Sequence, residues 1–208
     1  DADDVAKSPT QPAAAPGRFK YADIDGDGAI TPDDRTFIGN PNPDFTYGIN
    51  IALSYRGFDL STILYGSQGN DILNSLKINS HFFGAYVGGK SRDLLNAWTP
   101  ENNTSNIPKI EAVNSFSTAG VLHSFFIEDG SYLRMRSASL GYTVDPKMLR
   151  SIGISKLRLY VMGTNLFTIT KYSGLDPELV GSNMSFGIDW GNYPNNFKSF
   201  FLGVNLTF

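Results

Sequence analysis

From Phe45 onward the chain alternates. Phe45, Tyr47, Ile49, Ile51, Leu53 and Tyr55 are apolar or aromatic, while Thr46, Gly48, Asn50, Ala52, Ser54 and Arg56 between them are small or polar. A period of two sustained over this length predicts a strand with one apolar face. Arg56-Gly57 then turns the chain back through Phe58, Leu60, Thr62 and Leu64, which predicts a hairpin. A third run, Ser131 to Val144, carries Leu133 and Met135, then Ala138, Leu140 and Tyr142. Its apolar phase slips by one residue near Ser137, which predicts a β-bulge. Lys156 to Thr168 carries Leu157, Leu159 and Val161, and the last run places Phe200, Leu202, Val204, Leu206 and Phe208 against Phe201, Gly203, Asn205 and Thr207. The pattern therefore predicts five antiparallel strands of roughly 10–14 residues, about twice the usual strand length of about 5–6.

Strands this long have two homes. A strand crossing a bilayer needs about 9–11 residues, and a transmembrane barrel alternates apolar-out with polar-in between two aromatic girdles. Phe45 and Tyr47 at one end of the first strand and Tyr55 at the other fit that layout. A secreted β-sandwich would bury the same apolar face against a second sheet. Five strands cannot close a membrane barrel, since the smallest have about 8, and an open sheet in lipid leaves its edges unsatisfied. On the barrel reading the strands are part of something larger.

Composition agrees with β-structure and removes other classes. Of the 208 residues, 18% are charged and 13% aromatic, with 21 glycines. A net charge of -3 lacks the basic footprint of a nucleic-acid binder. With no cysteine there is no disulfide framework and no thiolate site. No run of about 20 apolar residues predicts a membrane helix. No secretory signal opens the stretch, which says little if it is a piece of a longer chain. Asp1 to Gly17, rich in Asp, Ala and Pro, reads as a flexible loop or tail.

The strongest chemical candidate is acidic. Asp23-Ile24-Asp25-Gly26-Asp27-Gly28-Ala29 can be written as an EF-hand-like loop, with Asp23, Asp25 and Asp27 at positions 1, 3 and 5. Gly28 then takes the sharp turn, the Ala29 carbonyl is at position 7, Thr31 at 9 and Asp34 at 12. These oxygens suit Ca²⁺, which takes about 6–8. Asp at position 12 reaches less far than Glu, and Pro32 permits only a short turn after the loop. The bland reading is a solvated acidic turn. Calcium here is expected to be structural, since the motif holds no activated nucleophile.

Other matches read as background. Gly84-Ala85-Tyr86-Val87-Gly88-Gly89-Lys90-Ser91 fits the phosphate-loop pattern. It lacks the apolar β-branched strand that should precede it, so a chance match is expected, leaving nucleotide hydrolysis as a distant third function. His81 and His123 have no ligand-spaced partner and read as loop residues. Glu128 with Asp129, and Asp176 with Glu178, read as turn or loop-packing groups rather than a catalytic carboxylate pair. Trp98 reads as packing within a loop rather than a sugar platform. The Asn-x-Ser/Thr matches at Asn102, Asn103, Asn183 and Asn205 read as chance.

Asp23-Ile24-Asp25-Gly26-Asp27-Gly28, Ile38-Gly39-Asn40-Pro41-Asn42-Pro43-Asp44-Phe45, Tyr55-Arg56-Gly57-Phe58-Asp59-Leu60, Ala97-Trp98-Thr99-Pro100-Glu101-Asn102, Tyr132-Leu133-Arg134-Met135-Arg136, Gly174-Leu175-Asp176-Pro177-Glu178 and Phe208 occur in this order. From Phe19 onward the chain resembles the C-terminal part of SusC/RagA-type TonB-dependent outer-membrane transporters. Phe208 also resembles the C-terminal assembly signature of outer-membrane barrels, which implies a periplasmic C-terminus. Counting back from there, Arg56-Gly57 and Asp145 to Ser155 are short periplasmic turns, while Gly69 to Gly130 and Ile169 to Phe197 are long extracellular connections, as barrels require. Residues 1–44 form an extracellular loop with the calcium motif, and residues 45–208 the transmembrane strands and their loops.

The resemblance implies an all-β fold within a plugged barrel of about 22 strands. It implies a non-enzymatic importer of oligosaccharides or peptides in the Gram-negative outer membrane, powered through TonB. The expected partners are outer-membrane lipid, a chain carrying the plug, the TonB box and the rest of the barrel, and a SusD-like lipoprotein lid; no nucleic acid is expected. The alternative is a secreted, calcium-stabilised β-sandwich that binds glycan. Solubility without detergent would separate the two.

Overall fold

The computed structural model describes residues 2–84, 88–150, 153–179, 185–191 and 196–208. The chain divides into two compact units. One comprises 1–40, 73–127 and 188–191, and the other 41–72, 128–187 and 192–208.

The second unit is a sheet of long antiparallel strands: β1 Phe45–Tyr55, β2 Phe58–Gln68, β3 Tyr132–Thr143, β4 Lys156–Thr164, the short β5 Thr168–Thr170 and β6 Ser199–Thr207. Their spatial order is β1-β2-β3-β4-β6, with β5 also paired to β3. The β1–β2 link is a two-residue turn in which Arg56 and Gly57 both take positive φ, +47° and +86°. That geometry matches the twist of the flanking strands. Tyr55 pairs with Phe58 directly above it, and the ladder runs unbroken to Phe45 and Gln68.

The expected bulge is present. Ile63 pairs with Ser137 and Leu64 with Met135, so Arg136 is the extra residue. Without it, Leu133 and Met135 would point to the opposite face from Leu140 and Tyr142. The strand expected over Lys156 to Thr168 is interrupted at the same level. It stops at Thr164, Asn165 takes φ +50°, and β5 resumes at Thr168. The Asn165 and Leu166 amides donate to the Arg136 and Met135 carbonyls, at 3.0 and 3.2 Å. The break in one strand thus absorbs the bulge in its neighbour. Asp145, expected to begin a short turn, caps the helix Pro146–Leu149 by accepting from the Lys147 amide.

The first unit is built around aromatic side chains. Phe126 and Phe82 are buried, and Phe19, His123 and Phe125 pack with them at ring separations of 4.3–6.3 Å. The expectation of a flexible tail over Asp1 to Gly17 is corrected here. Ala2–Lys7 is helical, and Thr10 exchanges backbone hydrogen bonds with Gly28 and Ile30. The Gln11 amide nitrogen donates to the Phe19 carbonyl at 2.8 Å and its oxygen accepts from the Tyr21 amide at 2.9 Å. The prolines from Pro9 onward interrupt any helical pattern, but the segment's polar groups are taken up by this unit.

Candidate functional site

The two faces of the long sheet differ in kind. Register and alternation place Tyr47, Ile49, Ile51, Leu53, Leu60, Leu64, Leu133, Met135, Leu140, Leu159, Val161, Leu202 and Val204 on one face. Ile49, Ile51, Leu53, Leu60, Leu140, Leu159, Val161, Leu202 and Val204 are all exposed. Aromatic residues gather at its ends. Phe45 and Tyr47 approach at 6.0 Å, and Phe58 and Tyr142 at 4.7 Å. The opposite face carries Asn50, Ser54, Asp59, Ser61, Tyr65, Arg134, Ser139, Arg158, Tyr160 and Asn205. Ile63, Met162 and Phe201 are its large apolar exceptions. Two glycines serve close contact: a Cβ on Gly66 would lie 2.2 Å from the Tyr47 ring, and one on Gly203 2.1 Å from the Tyr160 ring. Each tyrosine covers a glycine on the neighbouring strand, which pins the register.

Most of the charge on the polar face is paired. Near the β1–β2 turn, Arg158 donates through Nε to Asp59 at 2.8 Å and forms a second bond to the same carboxylate. Toward the other end of β3, Arg134 is 3% exposed in its side chain. Its Nε donates to Thr168 Oγ1 at 2.9 Å, Nη1 to Glu178 at 2.7 Å and Nη2 to Asp176 at 2.6 Å. Arg136 donates to the second oxygen of Glu178. The Asn196 amide donates to both carboxylates, at 3.1 and 3.2 Å. Asp176 and Glu178 are therefore loop-packing groups, as expected, but their arginine partners were not foreseen. The available signal was two arginines, Arg134 and Arg136, alternating with the apolar Leu133 and Met135, which places both off the apolar face.

In the first unit, the Asp23, Asp25 and Asp27 side chains each bring a carboxylate oxygen within 4.8 Å of the others. Asp23 accepts from the Gly26 and Gly28 amides at 2.7 and 2.9 Å, Asp25 from Asp27 at 3.1 Å and Asp27 from Ala29 at 2.8 Å. Gly26 and Gly28 turn the loop at φ +78° and +87°. Asp34 is engaged differently. Its two oxygens accept from the Ile24 and Thr31 amides, both at 2.7 Å, while the Thr31 hydroxyl accepts from Asp33. The amides of Thr31 and Ile24 hold the Asp34 carboxyl below its ordinary range. For Asp25, the Asp27 amide lowers the pKa, but partial desolvation and the charges of Asp27, Asp34 and Asp23 outweigh it and leave the carboxyl raised. Like charges so placed favour a cation among them.

The remaining matches resolve into packing. Lys90 donates to the Asn79 and Phe82 carbonyls at 2.7 and 2.9 Å, and a helix, Leu76–His81, stands where a phosphate loop needs a strand. Ala85, Tyr86 and Val87 of that match, and Asn183 of the glycosylation-like matches, lie outside the described residues. His81, expected in a loop, instead ends the helix Leu76–His81, while His123 lies in a loop as expected; both are buried. His81 Nε2 lies 3.1 Å from Asp93, and His123 Nε2 lies 2.9 Å from the Thr118 carbonyl. Burial holds the His123 pKa below its usual value. Trp98 packs over Gly17.

A sheet with one apolar exposed face, aromatic ends and a polar face of paired charges is the wall of a transmembrane β-barrel. Among the described residues no helix is long and apolar enough to cross a membrane. No family model matches the chain. It is 37% identical over 200 residues to TonB-dependent receptor P3 of Formosa agariphila, covering 93% of this chain and 19% of that protein. It is 28% identical over 191 residues to TonB-dependent receptor SusC of Bacteroides thetaiotaomicron, covering 90% of this chain and 17% of SusC. Among solved structures it is similar to the RagAB peptide importer in its closed-closed state, with a TM-score of 0.71 and 27% identity over 97% of this chain and 22% of that one. The RagAB peptide transporter gives a TM-score of 0.72, again at 27% identity, over 97% of this chain and 21% of that one. The chain spans about a fifth of the length of the curated relatives it matches. It is a piece of the SusC/RagA type of TonB-dependent receptor, fitting the C-terminal part. These relatives are receptors and transporters, not enzymes.

Proposed function

We propose that this chain forms the C-terminal wall and outer loops of a TonB-dependent importer in a Gram-negative outer membrane. The importer takes up oligosaccharides or peptides, beneath a SusD-like lipoprotein lid and together with the plug and remaining strands of a barrel of about 22. The carrying observation is the two-faced sheet, apolar and exposed on one side and polar with paired charges on the other. A sandwich would hide that apolar face.

Backbone groups on the outer edges of β1 and β6 find no partner in lipid. Both edges should therefore be hydrogen-bonded to further barrel strands. Affinity purification in mild detergent should recover the segment joined to plug-bearing sequence and a surface lipoprotein, with both edges protected from amide exchange. A soluble monomer obtained without detergent, with both edges exchanging freely, would defeat this reading.

The acidic loop is proposed to hold structural Ca²⁺ through Asp23, Asp25, Asp27 and the Ala29 carbonyl, with Thr31 and Asp34 completing the loop. The three converging carboxylates support it. Bound Ca²⁺ would offset their repulsion and fix the loop that precedes β1, with ligand distances of about 2.3–2.6 Å. Calorimetric titration of the purified, chelator-stripped complex should show uptake that an Asp25→Ala/Asp27→Ala variant lacks. No uptake at about millimolar Ca²⁺, the weak end of such loops, would show the assignment to be wrong.

A further inference from the structure

Beyond β5 the chain is held at two places, first at Glu128 of the short strand Ile127–Asp129 and then at the arginines of β3. Tyr172 is buried, and the Ser173 amide and hydroxyl both donate to the Glu128 carboxylate at 2.8 Å. Five residues after Ser173, Glu178 reaches both Arg134 and Arg136, and Asp176 reaches Arg134. Leu133 and Met135 belong to the apolar face, so alternation puts Arg134 on the polar one. The segment Tyr172–Glu178 is therefore anchored to the polar face, at the β3 end away from Thr143.

We propose that Tyr172–Glu178 is a strap fixed against the lumen wall, with Arg134 and Arg136 as its latch, presenting Leu175 to the passage. The proposal rests on the barrel reading above. Leu175 is 72% exposed although its neighbour Asp176 is buried, so the latch holds the backbone while leaving one apolar side chain outward. Two arginines against two carboxylates also leave the latched strap neutral. Released, it would set two cations on the wall and two anions on a loop, a different field for any charged solute entering.

The test uses the full transporter containing this segment, in lipid vesicles, with a nitroxide on Leu175→Cys; this stretch has no cysteine of its own. A Leu53→Cys label on the apolar face is the reference. The Leu175 label should move slowly and be relaxed by a water-soluble nickel chelate rather than by oxygen dissolved in lipid. Glu178→Ala, which removes an acceptor from both arginines and Asn196, should shorten its correlation time severalfold. Arg136→Gln, at a partly exposed side chain, should do so to a smaller degree and decides the matter alone if Glu178→Ala fails to assemble. A Leu175 label that is already fast in the unmodified protein, or one that neither substitution changes in a folded barrel, overturns the strap. A Leu53 label relaxed by nickel instead of oxygen overturns the barrel reading itself.

Discussion

Replacing Ile51 with arginine should destabilise the assembled barrel by about 2–4 kcal/mol, the cost of a cationic side chain at the lipid face near the bilayer midplane. Ile51 is the seventh residue of β1, exposed, and flanked on the same face by Ile49 and Leu53. Its cross-strand neighbour is Thr62, which offers no carboxylate to pair with a new cation. Asn50→Arg, one residue away, should cost much less, because Asn50 points to the polar face where arginines already sit beside carboxylates. Both variants keep the strand length and change charge alike, so the difference isolates the face. Urea unfolding of the full transporter in lipid vesicles, read by the band shift of folded against heated protein, gives the two midpoints. Equal tolerance at the two positions would count against the assigned faces.

The contrast between Ile51 and Asn50 was legible in the sequence because a strand writes its two environments at alternate positions. The bulge could be read for the same reason: Leu133 and Met135 are out of phase with Leu140 and Tyr142, and Arg136 absorbs the slip. The break at Asn165 was not legible. It arises from the neighbouring strand's extra residue, and nothing local to Asn165 announces a pairing made across the sheet. The first unit was harder still, since its core is assembled from short segments with no period. Gln11 bonds Phe19, and Phe19 packs on His123, more than a hundred residues away. His123 lies in a loop, as its sequence surroundings suggest, but its burial among three phenylalanine rings gathered from two segments was not legible. The acidic loop lies at the opposite extreme. Its spacing is wholly local, so the convergence of Asp23, Asp25 and Asp27 follows from a few turns around Gly26 and Gly28.

Arg134→Met should be the most damaging single substitution in the long sheet, at about 3–5 kcal/mol, the usual cost of removing one partner from a buried ion pair. The methionine would keep much of the side-chain volume but leave Asp176, itself buried, without its cation. Glu178 would retain Arg136, whose side chain is 39% exposed, so the loss centres on Asp176. Arg134→Lys should rescue little. Arginine here spends three separate nitrogens on Thr168, Glu178 and Asp176, a planar fork that a single ammonium cannot reproduce. Adding Asp176→Leu to Arg134→Met should restore part of the stability, because the double variant no longer buries an unpaired charge. The measurement is a double-mutant cycle on the full transporter in vesicles, by the same urea midpoints. A coupling energy of about 0.5–3 kcal/mol, the range for residues in one ion network, is expected between the two positions. Additive effects would mean that Arg134 stabilises the sheet by packing against Tyr132, whose ring centroid lies 5.5 Å from its guanidinium carbon, and not by its charge.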